Sequence, residues 1–291
     1  MLICPKCKQK LNIENELFIQ NKSYKCNNNH CYDISKEGYT NFLDSKTGSG
    51  DNSILINARE NFLNKGYYNK LRESICNLIK KYQINSLIDC GCGTGYYTEE
   101  FSNYAHTLYG LDISKDAIKI ASKRHNKNKN ITYFVSSCKE IPIKTNTFDA
   151  IINIFAPYFD NEFNRILNDN KYLIIASCNT DHLYELKKEV YTKPYHNENV
   201  SKEIFKLDSF NLLEEQDLTY KIFINNNDDL LNLFMMTPYY YKTKEDDFNK
   251  LKTINNLDIT ISFKISVFIK KWRFKITGGF WKTTFQIIGG F

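Results

Sequence analysis

The chain lacks the features that would place it in a membrane or direct it out of the cell. No window approaches ~18 consecutive apolar residues, the length of a membrane-spanning helix, so we predict no transmembrane segment. The N-terminus carries Lys6, Lys8 and Lys10 without a long apolar stretch, which argues against a signal peptide. No internal repeat is visible. The net charge of +6 is mild and permits an anionic partner without requiring one.

The chain also lacks an even number of cysteines, as a complete set of disulfides would need, because it has nine. Several of them lie in predicted core strands or in a glycine-rich loop. This favours a reducing compartment over a disulfide framework, and we predict a cytoplasmic protein. A hydrophobic content of 42% with 14% aromatic residues is enough for a substantial core. The length of 291 residues fits one large domain, or one domain with a small module.

The most informative motif is a glycine-rich loop within Leu87–Tyr96, at the end of an apolar run that contains Asp89. Three glycines follow at every second position: Gly91, Gly93 and Gly95. Such spacing allows a sharp turn and lets a ligand approach the backbone closely. About twenty residues later, after a second apolar run, Asp112 could accept hydrogen bonds from a ribose. The two features together predict a site for an adenosine cofactor.

The spacing within this loop narrows the choice of cofactor. Dinucleotide-binding loops usually follow Gly-x-Gly-x-x-Gly, whereas this chain has Gly-x-Gly-x-Gly behind an acidic residue. That form favours S-adenosylmethionine (SAM), which has no pyrophosphate and would bring its ammonium group close to Asp89. The alternative is a glycine-rich turn that binds no ligand.

Strands and helices alternate around the loop, which predicts an α/β fold with a mostly parallel, Rossmann-like sheet. The predicted strands are Ser86–Cys90, Thr107–Leu111, Ile131–Val135, Phe148–Ile154, Tyr172–Ala176, Thr219–Phe223 and Ile259–Ser266. The predicted helices lie within Ile54–Lys81, after Tyr96, over Lys115–Arg124, near Glu162–Leu167, and over Leu183–Tyr191 and Asp228–Met236.

The N-terminal segment has the residue spacing of a zinc site. Cys4 and Cys7 form a Cys-x-x-Cys knuckle, and Cys26 with His30 can complete a tetrahedral clamp. Cys31 adjoins His30, so spacing alone leaves the fourth ligand open. This segment has too few apolar residues to form a core of its own, and bound zinc would supply the missing stability. The alternative is a set of free cysteines in a disordered segment.

A polar and aromatic segment, Asn153–Tyr158, ends the fourth predicted strand, where doubly wound folds place their reacting groups. Phe155 or Tyr158 could stack on a flipped base, although Phe155 could equally belong to the core. The segment has neither a Pro-Cys nucleophile nor Pro-Pro-Tyr, which argues against methylation of pyrimidine carbon-5 and of exocyclic amines. Ring-nitrogen or oxygen methylation remains. No residue is identified as a general base, so the catalytic residues are not assigned.

Several short blocks of the chain have a distinctive combination of residues: Cys4–Cys7, Lys36–Tyr39 with Asn41 and Leu43, Ala58-Arg59, Gly66–Tyr68, Asp89–Thr98, Leu111–Ser114, Ala156-Pro157, His182-Leu183 with Glu185–Lys187, and Met236–Pro238. With these blocks the chain resembles one family, the RlmA-type 23S rRNA (guanine-N1)-methyltransferases. The resemblance implies zinc ligation by Cys4, Cys7, Cys26 and His30. It also implies cofactor contacts by Tyr68, Gly93, Thr94 and His182. Relatives usually carry Glu where Thr94 stands.

The resemblance implies a SAM-dependent enzyme that methylates N1 of a guanine in a hairpin loop of 23S rRNA. It further implies a homodimer whose zinc modules frame the RNA, and no membrane partner. It does not distinguish between the two neighbouring guanines that relatives modify, nor between modifications that do and do not affect macrolide-type antibiotics. Two alternatives are a small-molecule SAM methyltransferase and a non-catalytic RNA-binding zinc protein. The zinc module argues against the first, and the intact Asp89, glycine triplet and Asp112 argue against the second.

The predicted organisation has four parts. They are a zinc-binding module (1–36), a linker with a helical lead-in (37–70), a SAM-dependent methyltransferase domain (71–268) and a basic aromatic C-terminal extension (269–291). The extension carries basic and Trp residues without an acidic one. It is predicted either to be poorly ordered or to contact RNA or a membrane surface.

Overall fold

The computed structural model describes residues 1–15, 22–43, 52–124, 130–198 and 207–271. The strands are β1 Asn12–Asn15, β2 Lys22–Lys25, β3 Cys31–Asp33, β4 Thr40–Asn41, β5 Ser86–Cys90, β6 Thr107–Asp112, β7 Ile131–Val135, β8 Phe148–Ile154, β9 Leu167–Cys178, β10 Phe210–Ile224 and β11 Leu257–Lys270. The helices are α1 Ser53–Asn64, α2 Asn69–Lys81, α3 Tyr96–Phe101, α4 Lys115–Arg124, α5 Asp160–Ile166, α6 Tyr184–Val190, α7 Asn227–Met235 and α8 Glu245–Leu251, with a 3-10 turn at Tyr240–Lys242. Residues 272–291 of the predicted C-terminal extension and residues 44–51 of the predicted linker region lie outside the described residues.

The main sheet has eight strands in the order β10-β11-β9-β8-β5-β6-β7-β4. The strands from β9 to β4 pair in parallel, whereas β11 pairs antiparallel with both β9 and β10. From β5 the chain moves outward through β6 and β7, then returns to place β8 on the other side of β5. Ligands of such sheets bind at the carboxyl ends of the strands where this reversal occurs. The topology therefore places the glycine loop after β5 at the expected crevice.

Alternating side chains of the central strands build a core on each face of the sheet. Along β8, Ala150 and Ile152 are buried in one hydrophobic cluster and Ile151 in the other, as the two-residue period of a strand requires. Helices α1 and α7 begin at the N-caps Asn52 and Asn226. The side-chain Oδ1 of each N-cap asparagine accepts from the backbone amide three residues ahead, at 3.0 and 2.8 Å. No helix in the described ranges is both long and apolar enough to cross a membrane.

The N-terminal module, a three-stranded antiparallel sheet of β1, β2 and β3, is joined to the large domain through the backbone. The Ile3 amide donates to the Pro142 carbonyl, and the Lys144 amide donates to the Met1 carbonyl, both at 2.9 Å. Lys8 forms an ion pair with Glu140. After the predicted module boundary at residue 36, β4 pairs in parallel with β7 and so belongs to the main sheet. The module is therefore anchored on the segment that follows β7.

The C-terminal half departs most from the sequence prediction. β9 begins at Leu167 rather than at Tyr172, and β10 spans fifteen residues where only Thr219–Phe223 had a strand pattern. β10 pairs with β11 from Phe210 opposite Lys270 to Ile224 opposite Leu257. In its first half most side chains are exposed, so backbone pairing with β11 forms that part of the strand. From Leu218 to Ile224 burial alternates and the apolar side chains pack on the core, which is the part that the sequence pattern predicted.

Candidate functional site

The glycine loop turns tightly between β5 and α3. Gly91 has φ +83°, and a Cβ there would come within 2.4 Å of the Ala156 Cβ. Gly95, the N-cap of α3, has φ +78°, and a Cβ there would lie 3.3 Å from the Ala121 Cα. Both positions combine a left-handed conformation with close backbone or side-chain neighbours, so each requires glycine.

Two carboxylates hold the loop from either side. Asp89 is 1% exposed, and its Oδ2 accepts a hydrogen bond of 2.6 Å from the Thr98 hydroxyl. Burial raises the Asp89 pKa to about 7, because a buried carboxylate loses its hydration. Asp112 accepts from the Gly93 amide at 3.0 Å and from the Ser114 amide at 2.8 Å. Asp112 therefore links the segments that follow β5 and β6. A cation close to Asp89 would favour its ionised form.

A cavity of about 810 Å³ opens at this edge of the sheet. That volume is in the range of small-molecule and cofactor sites. Of the predicted cofactor residues, seven line the cavity: Tyr68, Asp89, Gly91, Gly93, Thr94, Asp112 and His182. Gly95 does not line it and instead begins α3 behind the loop. The structure thus brings residues from four separate chain segments to one cavity.

Two polar atoms in the cavity wall are candidates for ligand contact. The Thr94 Oγ1 and the Tyr97 Oη are buried, and neither has a hydrogen-bond partner within the described part of the chain. Both residues line the cavity. Buried polar atoms are nearly always hydrogen-bonded in native proteins, so this pair indicates where a polar cofactor group would bind.

His182 and Tyr68 form the opposite, buried wall. The Ser262 amide donates to His182 Nδ1 at 3.2 Å, so the proton of the neutral ring is on Nε2, which lies 3.4 Å from the Tyr68 hydroxyl. Burial, with a smaller contribution from the Lys187 charge, lowers the His182 pKa to about 3. The ring is therefore neutral and donates to the Tyr68 oxygen, which leaves the Tyr68 hydroxyl able to donate into the cavity.

The predicted metal ligands come together at the N-terminal module. The ligand atoms of Cys4, Cys7, Cys26 and His30 all lie within 4.8 Å of one another. Cys7 Sγ and Cys26 Sγ are 3.6 Å apart, close to the roughly 3.8 Å expected between two sulfurs of a tetrahedral zinc site with Zn–S bonds of about 2.3 Å. The neighbouring Cys31 is exposed and outside this cluster. Three thiols and an imidazole are a typical donor set for structural zinc.

Comparison with known proteins gives two domain matches. Residues 2–47 match the family described as "RlmA, N-terminal", a zinc ribbon, and residues 88–175 match a methyltransferase domain. The chain joins an RlmA-type zinc ribbon to a methyltransferase domain. The resemblance found in the sequence motifs is therefore confirmed, and so is the predicted fold class of a Rossmann-like α/β domain behind a zinc module.

Individual relatives agree with this arrangement. The chain is 25% identical over 282 residues to "Putative 23S rRNA (guanine-N(1)-)-methyltransferase YxjB" of Bacillus subtilis (strain 168), covering 93% of this chain and 97% of that protein. It is 28% identical over 194 residues to the 23S rRNA (guanine(748)-N(1))-methyltransferase of Streptomyces fradiae, covering 64% of this chain and 66% of that protein. The solved structure of the YcgJ protein from Bacillus subtilis shares the fold at a TM-score of 0.50 and 15% identity, covering 69% of this chain and 99% of that chain.

Behind the cavity lies a lysine that the sequence did not single out for a role. Lys187 is 1% exposed, and its Nζ donates to the Tyr195 carbonyl at 3.0 Å and to the Asn197 side chain at 2.7 Å. It also lies 4.5 Å from the centre of the Tyr239 ring, and burial lowers its pKa to about 8. Lys187 and Met236–Pro238 fall in the family blocks, whereas Asn197 and Tyr239 had no sequence signal. Together they fix one wall of the cavity.

Proposed function

We propose that this chain transfers a methyl group from SAM to N1 of a guanine in 23S rRNA. The observation that carries the proposal is the union of two parts in one molecule. A cavity bounded by a glycine loop and two carboxylates opens in a methyltransferase domain, and an RlmA-type zinc ribbon is hydrogen-bonded to that same domain. The two relatives named above carry this activity in their names, which supports the substrate.

The cavity residues suit the parts of SAM. Asp89 would accept from the ammonium group, which supplies the positive charge that its buried carboxylate lacks. Asp112, already held by the Gly93 and Ser114 amides, would accept from the ribose hydroxyls. The Thr94 and Tyr97 hydroxyls would gain the partners they lack in the described structure. Gly91, Gly95, Tyr68 and His182 would shape the site around them.

The protein contributes to the reaction mainly by positioning the methyl donor and the acceptor. When bound, SAM supplies a methyl group that its sulfonium has already made electrophilic. The chain must hold the guanine nitrogen in line with that methyl group and exclude water, a task worth several kcal/mol of barrier when the geometry is preorganised. The buried wall of Tyr68 and His182, with Lys187 behind it, suits this requirement, because their polar atoms are held by hydrogen bonds to neighbouring residues.

The proposed partner is a hairpin loop of 23S rRNA, whose single-stranded bases can be splayed into a pocket. In the zinc ribbon, Lys6, Lys10 and Lys22 are exposed and available to phosphates. We also propose a homodimer in which two ribbons frame the RNA, zinc bound by Cys4, Cys7, Cys26 and His30, and the cytoplasm as the compartment. Zinc ligation needs reduced thiols, which that compartment maintains.

Labelled SAM with unmodified large-subunit rRNA tests the proposal. We expect label in the RNA and a reverse-transcription stop at one guanine, because a methyl on N1 blocks base pairing. Asp89→Asn should reduce transfer strongly, whereas Asp116→Asn, at an exposed position of α4, should not. Label in the RNA with no stop would contradict N1 as the target. A wild-type protein that labels no RNA would overturn the substrate assignment.

A further inference from the structure

Phe155, the first residue after β8, has an unusual backbone conformation. Its φ is +53°, in the left-handed region that bulky side chains avoid. Its side chain is also 44% exposed, although it is a large apolar ring. Strained residues of this kind persist only where the surrounding structure imposes them, and they concentrate at functional sites.

Hydrogen bonds and packing impose this conformation. The Phe155 amide donates to the Ala176 carbonyl at 3.1 Å, which continues the ladder to β9. Asn153, 1% exposed, donates its side-chain amide to the carbonyls of Pro157 at 3.1 Å and Cys90 at 3.4 Å. The next residue, Ala156, lies so close to Gly91 that no Cβ fits there. The turn is thereby fixed to both β9 and the glycine loop, and the ring direction is fixed with it.

The Phe155 ring lines the cofactor cavity and packs against a neighbouring aromatic ring. Its centre lies 5.2 Å from the Phe263 ring, which in turn lies 4.8 Å from the His182 ring and 5.0 Å from the Tyr68 ring. Phe155 lines the cavity together with the residues of the glycine loop. Tyr158, the other aromatic of this segment, is not among the lining residues and packs against the core on the opposite face of the sheet.

We infer that Phe155 is the platform on which the acceptor base stacks when it enters the cavity. An aromatic ring held rigidly at the carboxyl edge of the sheet offers a flat apolar surface for a base that has left its own stack. The inference rests on the proposed function and adds to it the residue that orients the acceptor. It also explains why strain is retained, since a relaxed turn would direct the ring elsewhere.

Variants at this position separate substrate stacking from a structural role. Phe155→Ala and Phe155→Gly both remove the ring, and glycine also removes the left-handed strain. We expect both to lower kcat/KM for rRNA by roughly tenfold or more, the loss typical of one base–aromatic stack, with SAM affinity unchanged in calorimetry. Phe155→Tyr should retain most of the activity. Phe155→Gly should unfold at a higher temperature than Phe155→Ala, because only glycine tolerates φ +53° without strain.

Phe223→Ala is the matched control, because Phe223 is 57% exposed on β10 and does not line the cavity. It should leave rRNA methylation at the wild-type level. A Phe155→Gly protein as active as wild type would overturn the inference and leave the proposed function intact. A loss of SAM affinity equal to the loss of kcat/KM would also overturn it, since that result indicates support of the cofactor site. An inactive wild type would instead refute the proposed function, and with it the stacking role.

Discussion

Replacement of Gly91 by alanine provides the most direct test of how the cofactor loop is built. Two costs are expected. Gly91 has φ +83°, and placing a Cβ in the left-handed region costs roughly 1–2 kcal/mol. The new methyl would also lie 2.4 Å from the Ala156 Cβ, and overpacking of that kind costs about 1–3 kcal/mol. The free energy of unfolding should therefore fall by roughly 2–5 kcal/mol.

Two matched variants separate these costs. At Gly93, φ is +54° and nothing lies within 4 Å of the position that a new methyl would occupy, so Gly93→Ala should lose only the roughly 1–2 kcal/mol of conformational strain. In an Ala156→Gly background the methyl at residue 91 would meet no side chain. Gly91→Ala should then cost no more than Gly93→Ala, which makes the two changes strongly non-additive.

Urea unfolding of the zinc-loaded protein measures all four variants, with the wild type as reference. The reasoning is refuted if Gly91→Ala and Ala156→Gly add independently, because that result would mean the two residues are not in contact. A Gly91→Ala protein as stable as Gly93→Ala would lead to the same conclusion.

Three further outcomes are expected. Cys4→Ser should lower the bound zinc measured by atomic absorption, whereas Cys31→Ser, outside the cluster, should not; equal zinc in both would contradict the ligand set. His182 should contribute a loss of about 1.4 kcal/mol per pH unit to the free energy of unfolding as pH drops from about 6.5 towards 3, because the unfolded chain binds a proton that the buried ring does not. The raised pKa of Asp89 gives the opposite slope over part of this range, so the test is the difference between the profiles of wild type and His182→Gln, in which Asp89 cancels; exposed His106→Gln should show no such difference. SAM affinity measured by calorimetry should fall as pH drops through about 7, where Asp89 takes up a proton and loses its attraction for the ammonium group, and Asp89→Asn should bind weakly at every pH.

Local patterns predict those parts of the fold whose physics is local. β5, β7 and β8 have the predicted bounds, because short, mostly apolar segments rich in Ile and bordered by polar residues favour buried parallel strands. β9 is different. Its first residues, Leu167 to Lys171, include two Asn and one Asp and have the composition of a turn. Leu167 pairs with Phe148 and Tyr172 with Ala150, so residues 168–171 form an irregularity in the ladder, and Asn170 has φ +58°. The local turn preference is therefore kept as a bulge inside a strand whose two ends are fixed by tertiary pairing.

The sequence alone determined the chemistry of this protein: the glycine loop with its two carboxylates, the thiol and imidazole spacing, and the family blocks. These depend on residue types at short separations, and such patterns survive without knowledge of the fold. Only the tertiary structure decided what depends on contacts between distant segments. It set the His182 proton on Nε2 through the Ser262 amide, buried Lys187 behind the cavity, and placed Phe155 rather than Tyr158 at the edge of the cavity.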